Sequence, residues 1–216
     1  MALVPFRYNL RSLFVRSSST FLTILAIGAT VAVLAAALLA SGLAQAESVT
    51  YSVEPTHTYV TFEVRHFGTS TNRAQFEKTS GSIDFDRSAK NGKVDVRVDT
   101  QSLHSGSAEF DKHLQSADLF NTAKYPEMRF VSDRFEFDGD RVARVHGQLT
   151  LLGKTAPLVL SSTQFNCYQS PILKAEVCGG DFEGSIDRTQ WGMDYLVAMG
   201  MPKKVRLVVQ IEAAKR

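Results

Sequence analysis

Five histidines are the side chains of this 216-residue chain best suited to chemistry: His57, His66, His104, His113 and His146. Near neutral pH an imidazole can ligate a metal, move a proton or bond a polar group. His57 and His66 fall nine residues apart on one predicted strand. An odd separation puts them on opposite faces unless a bulge intervenes, which is poor geometry for a shared metal. His104 and His113 flank a predicted helical insert, and His146 lies on a later strand. Two readings stay open: a polar handle at a cavity mouth or a metal site assembled across strands, against hydrogen-bonded or exposed histidines. Glu109, Asp111 and Asp118 cluster in sequence, but on the polar face of a helix they are expected to be solvated. The chain contains no Gly-x-Ser-x-Gly, no Walker loop and no His-Glu-x-x-His. No catalytic residue, metal or cofactor is therefore expected, and the chain reads as a non-enzyme.

The first 46 residues say where the chain goes. Arg7, Arg11 and Arg16 are the charged side chains before Glu47, and an apolar run from Phe21 to Ala40 follows them. The segment then ends in Ser41-Gly-Leu-Ala-Gln-Ala46. A basic start, an apolar middle and a small-x-small end form a secretory signal peptide. Cleavage after Ala46 and a periplasmic, exported product are expected. The alternative is an uncleaved inner-membrane anchor, since roughly 20 apolar residues can span a bilayer. Three of the 24 Lys and Arg and none of the 22 Asp and Glu precede residue 47, which leaves 21 bases against 22 acids, a net charge of −1. No basic block remains to follow a phosphate backbone, so nucleic acid is not expected as a partner. Residues 47–216 suffice for one domain with a sizeable core. In an oxidising compartment Cys167 and Cys178 are expected to pair as a disulfide.

These groups must be positioned mostly by strands. Val60, Phe62 and Val64 alternate with Tyr59, Thr61, Glu63 and Arg65 within a strand predicted over Tyr51 to His66. A period of two marks one buried face. The pattern recurs with Ile83 and Phe85, and with Val94, Val96 and Val98. Further strands are predicted at Glu127 to Phe137, Arg141 to Leu152, Ala156 to Phe165, Gly180 to Asp187 and Lys203 to Ala213. Asn91-Gly92, Asp138-Gly-Asp140 and Gly153-Lys154 supply turns. About eight strands at short spacing argue for an antiparallel sandwich or barrel. Ser107 to Ala123 departs from the pattern: Phe110, Leu114 and Ala117 sit at helical spacing, and Tyr125-Pro126 ends the segment. Such an insert often covers an opening. Trp191 reads equally as a cavity wall or as packing at the barrel end. The 14 Phe suit either a dense core or an apolar pocket.

The chain resembles the YceI-like family of lipid- or polyisoprenoid-binding proteins. The likeness begins at His57-Thr-Tyr-Val-Thr-Phe-Glu-Val-Arg-His-Phe-Gly68 and continues through Phe76 and Gly81-Ser-Ile-Asp-Phe-Asp86. Its most specific block is Asp111-Lys-His-Leu-Gln-Ser-Ala-Asp-Leu-Phe-Asn-Thr-Ala-Lys-Tyr-Pro-Glu-Met-Arg-Phe130. It resumes at Gly147-Gln-Leu-Thr-Leu-Leu-Gly153, at Pro157-Leu158 and at Phe182-Glu-Gly-Ser-Ile-Asp-Arg188. The cysteine pair is not general in the family, so the loop it closes lies outside the analogy.

The resemblance implies an all-β fold with a short helical insert: an eight-stranded antiparallel, lipocalin-like barrel with a long apolar channel. It implies binding of a polyisoprenoid or similar long-chain amphiphile in a bacterial periplasm. Three readings follow: a carrier for an isoprenoid or quinone-like lipid, with membrane contact for exchange; an enzyme acting on such a lipid; or a filled barrel with a structural or stress role and no stored ligand. Val60, Phe62, Val64, Phe85, Val96, Phe130 and Leu149 become wall candidates. Leu103, Phe110, Leu114 and Phe120 would close one end. His66, Lys112 and His113 are candidates for the polar head group. An eight-stranded interior can be filled by side chains or hold one ligand. Burying a tail gives about 0.8 kcal/mol per methylene, so some forty carbons exceed the ceiling of roughly 20 kcal/mol for non-covalent binding. Lost chain freedom offsets the excess. Channel length and mouth chemistry are then expected to set selectivity.

Overall fold

A computed structural model describes residues 48–216; the expected signal peptide and its cleavage point after Ala46 lie outside the described residues. The alternating segments form β1 (Val49–Val53), β2 (Tyr59–His66), β3 (Ser70–Phe76), β4 (Thr79–Asp86), β5 (Asn91–Asp99) and β6 (Leu103–His104). The helix α1 (Ala108–Gln115) follows, then β7 (Glu127–Asp138), β8 (Arg141–Leu151), β9 (Lys154–Gln169), β10 (Glu176–Asp187) and β11 (Lys204–Lys215). All pairings are antiparallel. The ring runs β1-β4-β5-β7-β8-β9-β10-β11 and closes where Tyr51, Ser52 and Val53 meet Lys215, Ala214 and Ala213. Closure leaves this eight-stranded barrel no free sheet edge there.

The segment read as one strand from Tyr51 to His66 is two strands. Pro55 lacks the N–H a ladder needs, and Pro55–His57 turn as a 3-10 helix capped by the Glu54 carboxylate, which accepts from the Thr56 and His57 amides. β11 spans the break, pairing Arg206–Gln210 with β2 and Ala213–Lys215 with β1. β3 was not expected; its sequence is polar, and only Ala74 and Phe76 are buried. It pairs with β2 and, through Gln75 and Phe76, with β6. Thus β1 with β2, β3 with β4 and β5 with β6 act as three kinked long strands. Ser102 holds two kinks together by accepting from the Glu77 and Lys78 amides.

The expected helical insert shortens to α1, whose start is capped by the Ser107 hydroxyl accepting from the Phe110 amide. Turns carry the chain on to Lys124. Four features share one end of the barrel, hereafter the helix end: α1, the Phe67–Thr69 turn, the Leu152–Gly153 turn and the 188–203 loop. The opposite end carries the 87–90, 139–140 and 170–175 turns. Cys167 and Cys178 are joined there as direct partners across β9 and β10. They sit inside the ladder rather than in a loop, because both strands extend beyond the segments expected.

Candidate functional site

The barrel is not filled. An apolar cavity of about 330 Å³ runs between the sheet walls. Along β10 its lining extends from Cys178 to Ile186. Eight steps at about 3.4 Å on a strand tilted by roughly 40° give an axial length near 20 Å.

Alternation delivers the wall. Val60, Phe62 and Val64 of β2, Phe85 of β4, Val96 of β5, Phe130 of β7 and Leu149 of β8 all line the cavity. The Phe130 ring has its room because β8 carries Gly147, two residues from the Phe130 register partner Leu149; a Cβ on Gly147 would collide with that ring. At the helix end, Phe110 and Leu114 of α1 and Phe120 after it face the cavity. Phe120 packs on Phe62 and Phe76, with ring centroids 5.5 and 5.2 Å apart.

Three of the candidate residues do not reach the cavity. Leu103 is buried beside Phe76, its partner in the β3–β6 ladder. Lys112 is exposed; at about 100° per residue it lies some 200° round the helix from Phe110. Trp191 is 1% exposed and packs the barrel end, its indole N–H donating to the Leu149 carbonyl at 3.1 Å. A buried indole needs such a partner.

The five histidines divide cleanly. His57 pairs with Glu54 at 2.7 Å, His104 with Asp111 at 3.3 Å and His146 with Glu136 at 2.7 Å. His66 and His113 have no carboxylate within 4 Å among the described residues, and both line the cavity at the helix end. The ring of His113 meets the edge of Tyr195 at 5.1 Å. His66 is exposed, next to Phe67, which is 47% exposed in a left-handed conformation. His57 and His66 lie on different elements, so strand parity does not relate them. Among the described residues no group of three or more His, Cys, Asp or Glu is arranged to hold a metal.

Sequence reasoning missed several lining groups. Arg188 is 4% exposed and also lines the cavity. Its guanidinium donates to the Pro202 and Tyr195 carbonyls, at 3.0 and 2.8 Å, and so ties the 188–203 loop over the helix end. Burial lowers its pKa from the usual arginine value, against the opposing pull of Asp194 and Asp187. Tyr195, Leu196 and Met201 of the same loop join the lining. Arg129 also borders the cavity, with its guanidinium bonded to Asp95. Hydrogen bonds from Arg73 and Arg206 hold the Glu63 carboxyl below its usual range, and a two-point bond from Arg129 does the same for Asp95. An apolar shaft with polar groups at its rim can sequester a long hydrophobic chain and present its head to water.

The profile of the YceI-like domain matches residues 51–213. The chain belongs to the YceI-like family. Among its relatives, a UPF0312 protein of Shewanella sp. strain MR-4 is 37% identical over 174 residues, 79% of this chain and 87% of that one. Protein YceI of Escherichia coli O157:H7 is 37% identical over 129 residues, 59% of this chain and 67% of that one. The fold matches a YceI protein of Campylobacter jejuni, with a TM-score of 0.60 at 24% identity, over 71% of this chain and 90% of that one. It also matches a polyisoprenoid binding domain from Saccharophagus degradans, with a TM-score of 0.58 at 13% identity, over 78% of this chain and 99% of that one. At these identities the structural matches establish the YceI-like barrel and nothing finer.

Proposed function

We propose that this YceI-like protein is an exported carrier that holds one long-chain isoprenoid lipid, of polyprenyl or quinone type, without turning it over. The observation that carries this reading is the apolar shaft rimmed at the helix end by His66 and His113. The tail lies along the shaft and the head group meets the two imidazoles. The ligand class in the name of the Saccharophagus domain supports the same reading. Phe67, Tyr195 and Met199 stand 47, 37 and 71% exposed around that rim, which suits contact with a bilayer during exchange. Native mass spectrometry of the purified protein, before and after organic extraction, tests the proposal. A co-purified isoprenoid mass that disappears on extraction is expected; ligand-free protein that takes up no added isoprenoid would overturn it. The export part predicts a mature chain that starts at Glu47 and is recovered from the periplasm. N-terminal sequencing checks this, and a start at Met1 in the inner membrane would replace it with the anchor.

A further inference from the structure

The far end of the cavity is closed by aromatic rings. Phe85 of β4 lies 6.3 Å from Tyr51, 6.5 Å from Phe135, 6.1 Å from Phe137 and 5.7 Å from Phe165, centroid to centroid. Tyr51, Phe85, Phe135 and Phe165 line the cavity, whereas Phe137, stacked on Phe85 with 9° between their planes, does not. Rings from β1, β4, β7 and β9 therefore meet across the barrel near the disulfide end. β5 leaves them room, for a Cβ on Gly92 would lie 2.6 Å from the Phe135 ring. Tyr51 is in turn fastened to Glu176 by its hydroxyl.

We propose that this aromatic floor, centred on Phe85, sets the length of chain the cavity accepts. The proposal rests on the carrier reading and names its specificity-determining residue. Burial by itself supplies no stop, because each added methylene gains about as much as the one before. The stop must come from the walls. The helix end cannot provide it, since His66 is exposed there and chain can project into water. Phe85 can, because moving it aside disturbs its packing on four other rings from three strands. The end of the tail thus rests on Phe85 when the head is at His66 and His113. Beyond that length, further units remain outside and add no affinity.

The test uses the purified full chain stripped of lipid and two ladders of probes, all-trans polyprenols from farnesol upward and straight-chain 1-alkanols. Displacement of a fluorescent apolar probe gives the rung at which affinity stops rising. Phe85→Ala should move that plateau up by at least one rung. Phe85→Leu is a milder variant should the alanine protein not fold. Val94 lines the cavity and pairs with Ile83, two residues from Phe85, so Val94→Phe should move the plateau down. A plateau that stays put in folded variants overturns the floor and leaves the carrier reading intact. A plateau that moves with alkanols, while polyprenols are not retained, supports the floor and removes the isoprenoid reading. Retention of neither ladder by the parent protein overturns both.

Discussion

The hydroxyl of Tyr51 on β1 donates to Glu176 on β10 at 2.5 Å, across the intervening strand β11. The bond crosses the inside of the barrel, and Arg87 stands 4.0 Å from the same carboxylate. Burial, and then the bond to Glu176, push the Tyr51 phenol up to about 12. A raised phenol pKa means that the folded state keeps the proton longer than the unfolded one. The associated stability is complete below the unfolded value near 10 and is lost as pH climbs to about 12; two units correspond to about 2–3 kcal/mol. Loss of the bond to Glu176 should make Tyr51→Phe less stable than the parent at neutral pH, and the gap between their urea melts should narrow between those pH values as the parent's phenol ionises. Curves that run parallel throughout that window would show that the phenol does not carry the difference.

The disulfide predicts a second stability difference. Cys167 and Cys178 are 11 residues apart, so the bond should contribute at most about 3 kcal/mol in the chain-entropy view. Pro171 already stiffens the turn, which places the expected loss for Cys167→Ser with Cys178→Ser in the lower part of that range. Thiol titration of the unfolded, non-reduced protein should find no free thiol. Two titratable thiols in freshly purified protein would contradict the pairing.

At the helix end, His66→Ala and His113→Ala should weaken binding of isoprenoids with a polar head by about 3–10-fold each, the worth of one hydrogen bond. Binding of a headless hydrocarbon such as squalene should not change. Equal losses for both ligands would mean that the imidazoles act as wall, not as head-group contacts.

The exposed rim has its own readout. Replacing Phe67 and Met199 together by Ser should lower co-sedimentation with phospholipid vesicles and slow transfer of the fluorescent probe from vesicles. Affinity for the detergent-delivered probe should stay as it was. Vesicle binding equal to that of the parent protein would assign the rim to some other contact.

The sequence announces most of the barrel, because a strand with one face on an apolar interior writes a period of two. It announces less where that rule is interrupted. β3 is hidden because Ser-Thr-Asn-Arg supplies no apolar alternation. Phe130 and Phe135, an odd distance apart, both face inward only because the β7–β8 register shifts between Ser132 and Arg134, where the Ser132 hydroxyl donates to the His146 carbonyl. No residue pattern marks that shift. Lys112 was assigned by likeness to a head-group role that the phase of α1 denies it. Trp191 carries no sign of whether its N–H finds a carbonyl, and the same holds for the burial of Arg188. Leu103 was assigned by likeness to the closing end, and the two-residue strand that instead buries it beside Phe76 is too short to show a pattern.

The pairing of Tyr51 with Lys215 has a consequence for how the chain must assemble. With β1–β2, β3–β4 and β5–β6 each counted as one kinked strand, seven of the eight seams join strands that follow one another in sequence and can zip up locally. The eighth joins β11 to β1 and β2, with Tyr51 paired to Lys215 and Glu63 to Arg206, a contact of high order whose loop-closure cost falls due before its reward. A chain delivered from its N-terminus, during synthesis or export, is therefore an open sheet with two bare edges and an exposed apolar face until β11 arrives to pair with β2 and β1. Its period of greatest exposure to aggregation is the interval before that last seam forms.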